Sequence, residues 1–308
     1  MLSLAALLFS TQTALAGAKA SGFKKDTRKS TNYWNAVSAI DGNLETAWMV
    51  NGESENVGEW IMIDAPNSYS TLNEIKIVNG FAKSEETYKD YARIKSAKLE
   101  VLQYDSNMEL QPTNKFVELT FEDKIEAQII KLKSPLKLES ETGGTYKLTV
   151  TSIYEGKDYP NFALSELVLY LNAFDVNPQI TEVENSVDGS EELDMIDNKT
   201  SSYWLGQANA KIGVEANGAA ISRIGITPVR GKSYARPKKV KVSIGSRSNT
   251  LEMADNGKQQ WVWVPTTTGY PGGSSWDTIF VEVLETYPGK KSQNVGIAEI
   301  DTKASSLD

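Results

Sequence analysis

The side chains of this sequence that could do chemistry are carboxylates, amines, phenols and hydroxyls, because its 308 residues include no cysteine and no histidine. That composition excludes disulfides, thiolate chemistry, imidazole bases and the usual catalytic triads. Paired carboxylates could hydrolyse glycosides, but no carboxylate pair stands apart from strand and turn positions. A phosphate-binding loop, a dinucleotide fingerprint and a Gly-x-Ser-x-Gly elbow are also missing. We therefore predict that the protein is not an enzyme.

Short runs of β-branched and aromatic residues recur between turn residues along the chain. Clear examples are residues 59–63, 74–78, 98–102, 146–150 and 166–170. Most of them alternate apolar with polar side chains, as strands with one buried face do. Turn dipeptides such as Asp41-Gly42 separate them. The sequence therefore predicts an all-β protein built from antiparallel sandwiches.

Three pieces of the first half recur in the second half in the same order. The matched pairs are 40–48 with 196–204, 91–93 with 234–236, and 154–167 with 287–300. Such self-similarity indicates a tandem duplication, in which Trp48 and Trp204 are predicted core anchors. We predict two β-sandwich domains, at residues 17–174 and 175–308.

The first 16 residues hold a short apolar run followed by the small-x-small pattern Ala14-Leu15-Ala16, which is typical of a secretory signal peptide. A positively charged start is missing, so an ordinary core strand or helix is the alternative. No later run approaches the roughly 20 apolar residues of a transmembrane helix. The net charge of −8 disfavours nucleic acid as a partner. We expect an extracytoplasmic protein that is periplasmic, surface-located or secreted.

The first half resembles the discoidin (F5/8 type C, galactose-binding-like) fold, in particular a glycan-binding variant associated with NADase-type toxins. The motifs that carry this resemblance are 39–48, 58–61, 77–81, 91–93, 152–156 and 163–167. The second half keeps the skeleton but diverges, with Asn198-Lys199 in place of Gly42-Asn43. The resemblance implies a discoidin-like jelly roll that binds ligands rather than catalyses, and the internal repeat extends this fold to the second half.

Many sandwiches of this superfamily carry a calcium site, and the resemblance places it at Asp41, Asn43, Thr46 and Glu166. Ca²⁺ prefers six to eight oxygen ligands, and a turn of this kind can present several. Alternatively, Asp41 and Thr46 bond their own turn while Glu166 pairs with a basic residue such as Arg93. The matching places in the second half hold Asp197, Ser202 and Glu299.

Sugar recognition in sandwiches combines an aromatic face with polar groups of the end loops. The candidate ligand-binding residues are Tyr33, Trp34, Phe81, Tyr88, Arg93, Tyr159 and Asn161, with Tyr270 and Trp276 in the second half. Alternatively, the tyrosines are scattered surface residues and Arg93 is an internal ion-pair partner.

A basic stripe runs through residues 223–247 of this acidic protein. Its candidate partner-contact residues are Arg230, Lys232, Arg236, Lys239 and Lys241. The alternative is a solvated strand edge that lysines protect against aggregation. Together these patterns predict an exported binding protein for carbohydrate or cell-surface glycan, acting through end loops. A structural protein of the bacterial envelope or of a periplasmic filament sheath, assembling with itself or with other proteins, is the alternative.

Overall fold

The computed structural model describes residues 17–26, 33–51, 56–65, 69–216, 219–265, 270–272 and 277–307. The predicted signal peptide and Trp276 lie outside the described residues. No helix in the described ranges is long and apolar enough to cross a membrane.

The first half forms one sheet of nine strands. They are β1 (Ala18–Ala20), β2 (Trp48–Met49), β3 (Trp60–Asp64), β4 (Tyr69–Asn79), β5 (Tyr91–Tyr104), β6 (Leu110–Thr120), β7 (Gln128–Glu139), β8 (Gly144–Tyr154) and β9 (Tyr159–Leu171). The order is β1-β3-β8-β5-β9-β4-β7, with β2 on β9 and β6 on β5. All pairs are antiparallel except β5 with β9. A 3-10 helix (Ala36–Ala39) and helix α1 (Glu85–Asp90), which Ser84 caps, connect strands.

The second half repeats this arrangement with nine further strands. They are β10 (Phe174–Val176), β11 (Gln179–Ser186), β12 (Trp204–Glu215), β13 (Ala219–Pro228), β14 (Arg236–Ile244), β15 (Arg247–Glu252), β16 (Gln260–Trp263), β17 (Ile279–Tyr287) and β18 (Val295–Leu307), with a 3-10 helix at Glu192–Met195. The order is β15-β14-β17-β12-β18-β13-β16. The predicted fold class, two tandem antiparallel β-sandwiches, is confirmed.

Each half has its own apolar core, built from the inward-facing residues of its alternating strands. Trp48 and Trp204 are fully buried in these cores. Their indole N–H groups each donate one hydrogen bond of 2.9 Å, to the Gly22 carbonyl and to the Ser186 hydroxyl respectively. Both tryptophans are therefore core anchors.

Matched residues of the two halves make matched contacts. The Tyr154 hydroxyl donates to the Phe121 carbonyl at 3.0 Å, and the Tyr287 hydroxyl donates to the Met253 carbonyl at 2.9 Å. These recurrences are what a tandem duplication produces. The exact domain boundaries stay a prediction.

The outward face of β9 is also buried, unlike the exposed face that alternation predicts. Glu166, Val168 and Tyr170 lie on it, and all three are buried. The Tyr170 ring packs on Trp263 of the second half, with centroids 4.3 Å apart. The second half therefore covers this face of the first.

Candidate functional site

Five aromatic side chains meet at one end of the first sandwich, and we call this group the aromatic end: Tyr33, Trp34, Phe81, Tyr91 and Tyr159. Successive ring centroids along the series are 4.4, 5.2, 5.9 and 4.7 Å apart. Trp34 and Phe81 are buried at its base, whereas Tyr159 is 46% exposed. The aromatic end therefore has a buried base and an accessible outer ring.

Strand pairing positions the outer two rings. Tyr91 begins β5 and Tyr159 begins β9, and the two residues are paired in the parallel ladder between these strands. Their rings consequently stack, with planes 21° apart. The turn that leads into β9 contains Gly156, where an added Cβ would overlap the carbonyl oxygen of Tyr159. A residue without a side chain is therefore needed below the stack.

Charged groups surround this stack. The Lys24 ammonium lies 5.5 Å from the Tyr91 ring centroid. The Asp158 amide donates to the Asp90 carbonyl at 3.1 Å, which brings the two carboxyl groups together. Desolvation and then the Asp158 carboxyl raise the pKa of Asp90. Carboxylates accept hydrogen bonds from hydroxyl groups, so this surface combines an aromatic face with acceptors and a cation.

The structure brings most of the predicted ligand residues together. Tyr33, Trp34, Phe81 and Tyr159 share the aromatic end, and the Trp34 indole nitrogen is buried without a hydrogen-bond partner among the described residues. Asn161 lies two residues beyond Tyr159, but its side-chain amide donates to the Val50 carbonyl at 2.7 Å. Asn161 therefore fixes the loop that holds the aromatic end.

The side chains of Tyr88 and Arg93 are both engaged by Asp123. The Tyr88 hydroxyl donates to Asp123 at 2.8 Å, and burial, followed by Asp123, raises the pKa of Tyr88. Arg93 donates to both Asp123 oxygens, and its hydrogen bond lowers the pKa of Asp123. Of the two interpretations of Arg93, the structure shows the internal ion pair.

Sequence reasoning missed Tyr91, Lys24 and Asp90 as members of the site. Tyr91 carried a usable signal, because it begins the triplet Tyr-Ala-Arg that recurs at Tyr234. Tyr234 in turn contacts Tyr203, with ring centroids 5.5 Å apart. In each half, a second tyrosine therefore lies beside the tyrosine that begins this triplet. Tyr270, a predicted end-loop residue, instead lies in the apolar core cluster of the first half.

The predicted metal ligands are partly engaged with one another. Asp41 accepts from the Asn43 amide at 2.9 Å and from the Thr46 hydroxyl at 2.8 Å. Asn43 accepts from the Glu45 amide at 3.0 Å. These are the turn contacts of the alternative interpretation. Arg93, the example of a basic partner for Glu166, pairs with Asp123 instead. The basic residues whose charge acts on Glu166 are Lys76 and Arg247.

Glu166 is the exceptional member of this group. It is 2% exposed, and neither carboxylate oxygen has a partner with good hydrogen-bond geometry within the described part of the chain. The backbone amide of Gly42 is nevertheless near enough to lower the pKa of Glu166. Burial raises the pKa of Glu166 to about 8, and Asp41 acts in the same direction, while Lys76 and Arg247 oppose it. Buried polar atoms normally have hydrogen-bond partners. A bound cation or a hydrogen-bond donor would supply the partner that this carboxyl group lacks.

This donor set fits a calcium ion in part. The unpartnered Glu166 oxygens and the nearby Asp41 are hard oxygen ligands of the kind that Ca²⁺ prefers. Against this, Lys76 and Arg247 already supply positive charge to Glu166. The described residues also contain no group of three or more acidic side chains arranged as a metal site.

In the second half, the corresponding turn is satisfied more completely. Asp197 accepts from the Ser202 hydroxyl at 2.7 Å and from the Lys199 amide at 2.8 Å. One oxygen of Glu299 accepts from the Asn198 amide at 3.1 Å. Glu299 therefore accepts a well-formed hydrogen bond, whereas the matching Gly42 amide only approaches Glu166. The other Glu299 oxygen has no partner among the described residues.

The basic stripe is largely neutralised by its own surroundings. Lys239 pairs with Glu252 at 2.9 Å, and Lys241 pairs with Glu282. Arg236 is buried against Asp255 and so cannot reach a partner protein. Arg230 and Lys232 are exposed, and their contact with a partner stays a prediction.

Fold and site together define a tandem F5/8 type C β-sandwich protein. The family described as "NAD glycohydrolase translocation F5/8 type C domain" matches residues 10–170, which is just over half of the chain. The chain belongs to this family. Membership confirms the resemblance of the first half and supports a binding role in general terms.

Solved structures of low identity resemble the chain. A fucolectin from striped bass serum is 12% identical with a TM-score of 0.34, and the match covers 96% of this chain and 98% of that one. The family 32 carbohydrate-binding module of C. perfringens NanJ with galactose is 19% identical with a TM-score of 0.34, covering 51% and 94%. Allantoicase from Saccharomyces cerevisiae is 10% identical with a TM-score of 0.31, covering 94% and 90%. No curated protein matches. Similarity at this level transfers neither a ligand nor an activity.

Proposed function

We propose that the chain is an exported, non-catalytic carbohydrate-binding protein that holds a saccharide at the aromatic end. The observation that carries the proposal is the Tyr91–Tyr159 stack, whose outer ring is 46% exposed. The apolar face of a pyranose packs on such a ring, and orienting polar groups complete a site of this kind. Asp90, Asp158 and Lys24 are the polar groups beside it.

The stack also prepares Tyr159 for binding. Ordering a side chain on association costs about 0.5–1.5 kcal/mol. Tyr159 is already held against Tyr91, with centroids 4.7 Å apart, so part of this cost is met on folding. The acidic pair Asp90 and Asp158 can then accept hydrogen bonds from sugar hydroxyls at the rim.

The experiment is a glycan array followed by calorimetry on the chain from Gly17. Tyr159→Ala should weaken the sugar hit by about tenfold or more, since an aromatic contact and its buried area are lost. Tyr159→Phe should keep the affinity, because the ring face remains. Tyr69→Ala is the matched control, since Tyr69 is 62% exposed outside the aromatic end.

Two outcomes would overturn the proposal. One is equal binding by Tyr159→Ala and Tyr69→Ala. The other is the absence of any saturable sugar hit together with self-association in sedimentation or co-purifying envelope proteins, which would favour the assembly alternative.

We propose further that Asp41 and Glu166 hold a structural calcium ion with oxygens of the 41–46 turn. The unpartnered Glu166 oxygens support this proposal. Calcium should raise the melting temperature of the native chain, and the rise should be lost in Glu166→Gln. A melting temperature that is the same in calcium and in EDTA would rule the site out.

A further inference from the structure

A cleft of about 450 Å³ lies between the two halves of the molecule. In the first half, strands β4 and β9 contribute Lys76, Glu166 and Tyr170 to its wall. In the second half, the first residues of strand β15 contribute Arg247, Ser248 and Asn249. Small-molecule sites in proteins typically enclose about 300–1,000 Å³. The cleft therefore has the size of a site for a monosaccharide or disaccharide, and neither half forms it alone.

Glu166 is the feature that points to a ligand in this cleft. Its side chain is buried and lines the cleft wall, and neither oxygen has a partner with good hydrogen-bond geometry in the ranges that the structure describes. The Gly42 backbone amide, which also lines the cleft, lowers the pKa of Glu166 without such geometry. Leaving a buried acceptor unsatisfied costs about 1–3 kcal/mol, and more for a charged group. A ligand with hydroxyl donors would provide the missing hydrogen bonds.

Two cations line the same cleft from opposite halves. Lys76 and Arg247 both lower the pKa of Glu166 by their positive charge, so they lie within electrostatic reach of it. A guanidinium can bind a carboxylate through two parallel hydrogen bonds, and an ammonium adds a point charge. The walls thus offer donors for an anion next to acceptors for hydroxyl groups.

We propose that this cleft is a second binding site that takes a saccharide bearing a carboxylate. The sugar carboxylate lies at Lys76 and Arg247, and sugar hydroxyls donate to Glu166. The Ser248 hydroxyl and the Asn249 amide oxygen add neutral hydrogen-bonding groups at the rim, while the Asn249 amide nitrogen donates to the Trp263 carbonyl at 2.9 Å. The site is separate from the aromatic end and shares with the proposal for that end only the class of ligand. It uses Glu166, which the calcium proposal also uses, so the saccharide and the ion would compete for this carboxyl group.

The test compares glucuronate with glucose by calorimetry on the full chain, in EDTA so that no calcium occupies Glu166. Tyr159→Ala is the background, because it removes the proposed site at the aromatic end. Glucuronate should bind this background, and Lys76→Gln or Arg247→Gln should weaken binding about tenfold or more, as the loss of a charge-assisted hydrogen bond does. Lys115→Gln, which removes an equal charge from a surface pair with Glu139, should leave binding unchanged.

Ser248→Trp gives a second test that keeps all charges. Ser248 is exposed at the cleft, so the indole should fill the entrance without harming the fold, and glucuronate binding should be lost. Unchanged melting temperatures and near-UV circular dichroism identify the variants that stay folded. No binding to the background protein, equal binding of glucose, or unchanged binding by Lys76→Gln and Ser248→Trp would overturn the proposal. Because the aromatic end is removed throughout, these results do not depend on the proposed function.

Discussion

Arg93 and Asp123 form a two-pronged ion pair, in which Arg93 Nε lies 3.0 Å and Nη2 lies 2.7 Å from the two Asp123 oxygens. Nη1 donates to the carbonyls of Tyr91 and Glu155, at 3.0 and 2.8 Å. The guanidinium thus ties β5 to the loop after β6 and to the turn after β8. Arg236 makes the same fork to Asp255, at 2.7 and 3.0 Å.

We expect Arg93→Ala to lower the free energy of unfolding by about 3 kcal/mol, because it removes both guanidinium bonds to Asp123 and the donor of two carbonyls. Asp123 then keeps only the bond from the Tyr88 hydroxyl. Arg93→Lys should lose most of this stability, since an ammonium cannot reproduce the fork. Urea denaturation measures both. Lys115→Ala is the control, because exposed pairs contribute about 0–1 kcal/mol. A loss of less than about 1 kcal/mol in Arg93→Ala would show that the pair is not structural.

The dependence of the free energy of unfolding on pH should show the raised pKa of Glu166. Its pKa is raised to about 8 in the folded chain, compared with about 4.3 in an unfolded one. Folding therefore favours the protonated form, so its contribution is fully present below about pH 4 and is lost as the pH rises towards 8.

In EDTA, Glu166→Gln should consequently be more stable than the native chain at pH 8.5, by an amount on the order of a few kcal/mol. The difference should shrink steadily towards pH 5. Urea denaturation across this range measures it, with the exposed Glu118→Gln as the matched control. Parallel pH curves for the native chain and Glu166→Gln would mean that Glu166 is not buried as an uncompensated acid.

Much of the fold follows from local pattern. Period-2 alternation fixes the strands, and the recurring segments 40–48 and 196–204 indicate the duplication. The partner of Arg93 could not be predicted in this way, because Asp123 lies in a loop 30 residues away. The burial of Glu166 and Tyr170 could not be predicted either. Their alternation marks an exposed face, and only the placement of the second half covers it.

The turn before β9 should not tolerate a side chain. An added Cβ at Gly156 would overlap the Tyr159 carbonyl, and at Gly289 it would overlap the Ser292 carbonyl. Gly156→Ala should therefore lower the free energy of unfolding by about 1–3 kcal/mol and displace Tyr159 from Tyr91. Gly22→Ala is the control, because nothing lies within 4 Å of its added Cβ.

Urea denaturation measures the stability of these variants, and near-UV circular dichroism reports the tyrosine environment. If Gly156→Ala and Gly22→Ala had the same free energy of unfolding and the same near-UV spectrum, the turn at Gly156 would not lie as close to β5 as the structure places it.

The contact between Tyr170 and Trp263 tests whether the two halves pack as one unit. Their ring centroids are 4.3 Å apart, and the guanidinium carbon of Arg223 lies 3.6 Å from the centroid of the Trp263 ring. The stability of Trp263→Ala alone would therefore combine the loss of the Tyr170 contact with the loss of the Arg223 contact. A double-mutant cycle with Tyr170→Ala isolates the pair, and we expect a coupling of about 1 kcal/mol, as aromatic pairs show.

Tyr170 with Trp60 is the control pair, because Trp60 lies on β3 and instead contacts Lys147. That cycle should be additive. A coupling in the first cycle alone would mean that the cleft between the halves persists in solution, since the same packing holds Lys76 opposite Arg247. If Tyr170 and Trp263 were additive as well, the halves would move independently, and the cleft would not be a preformed site.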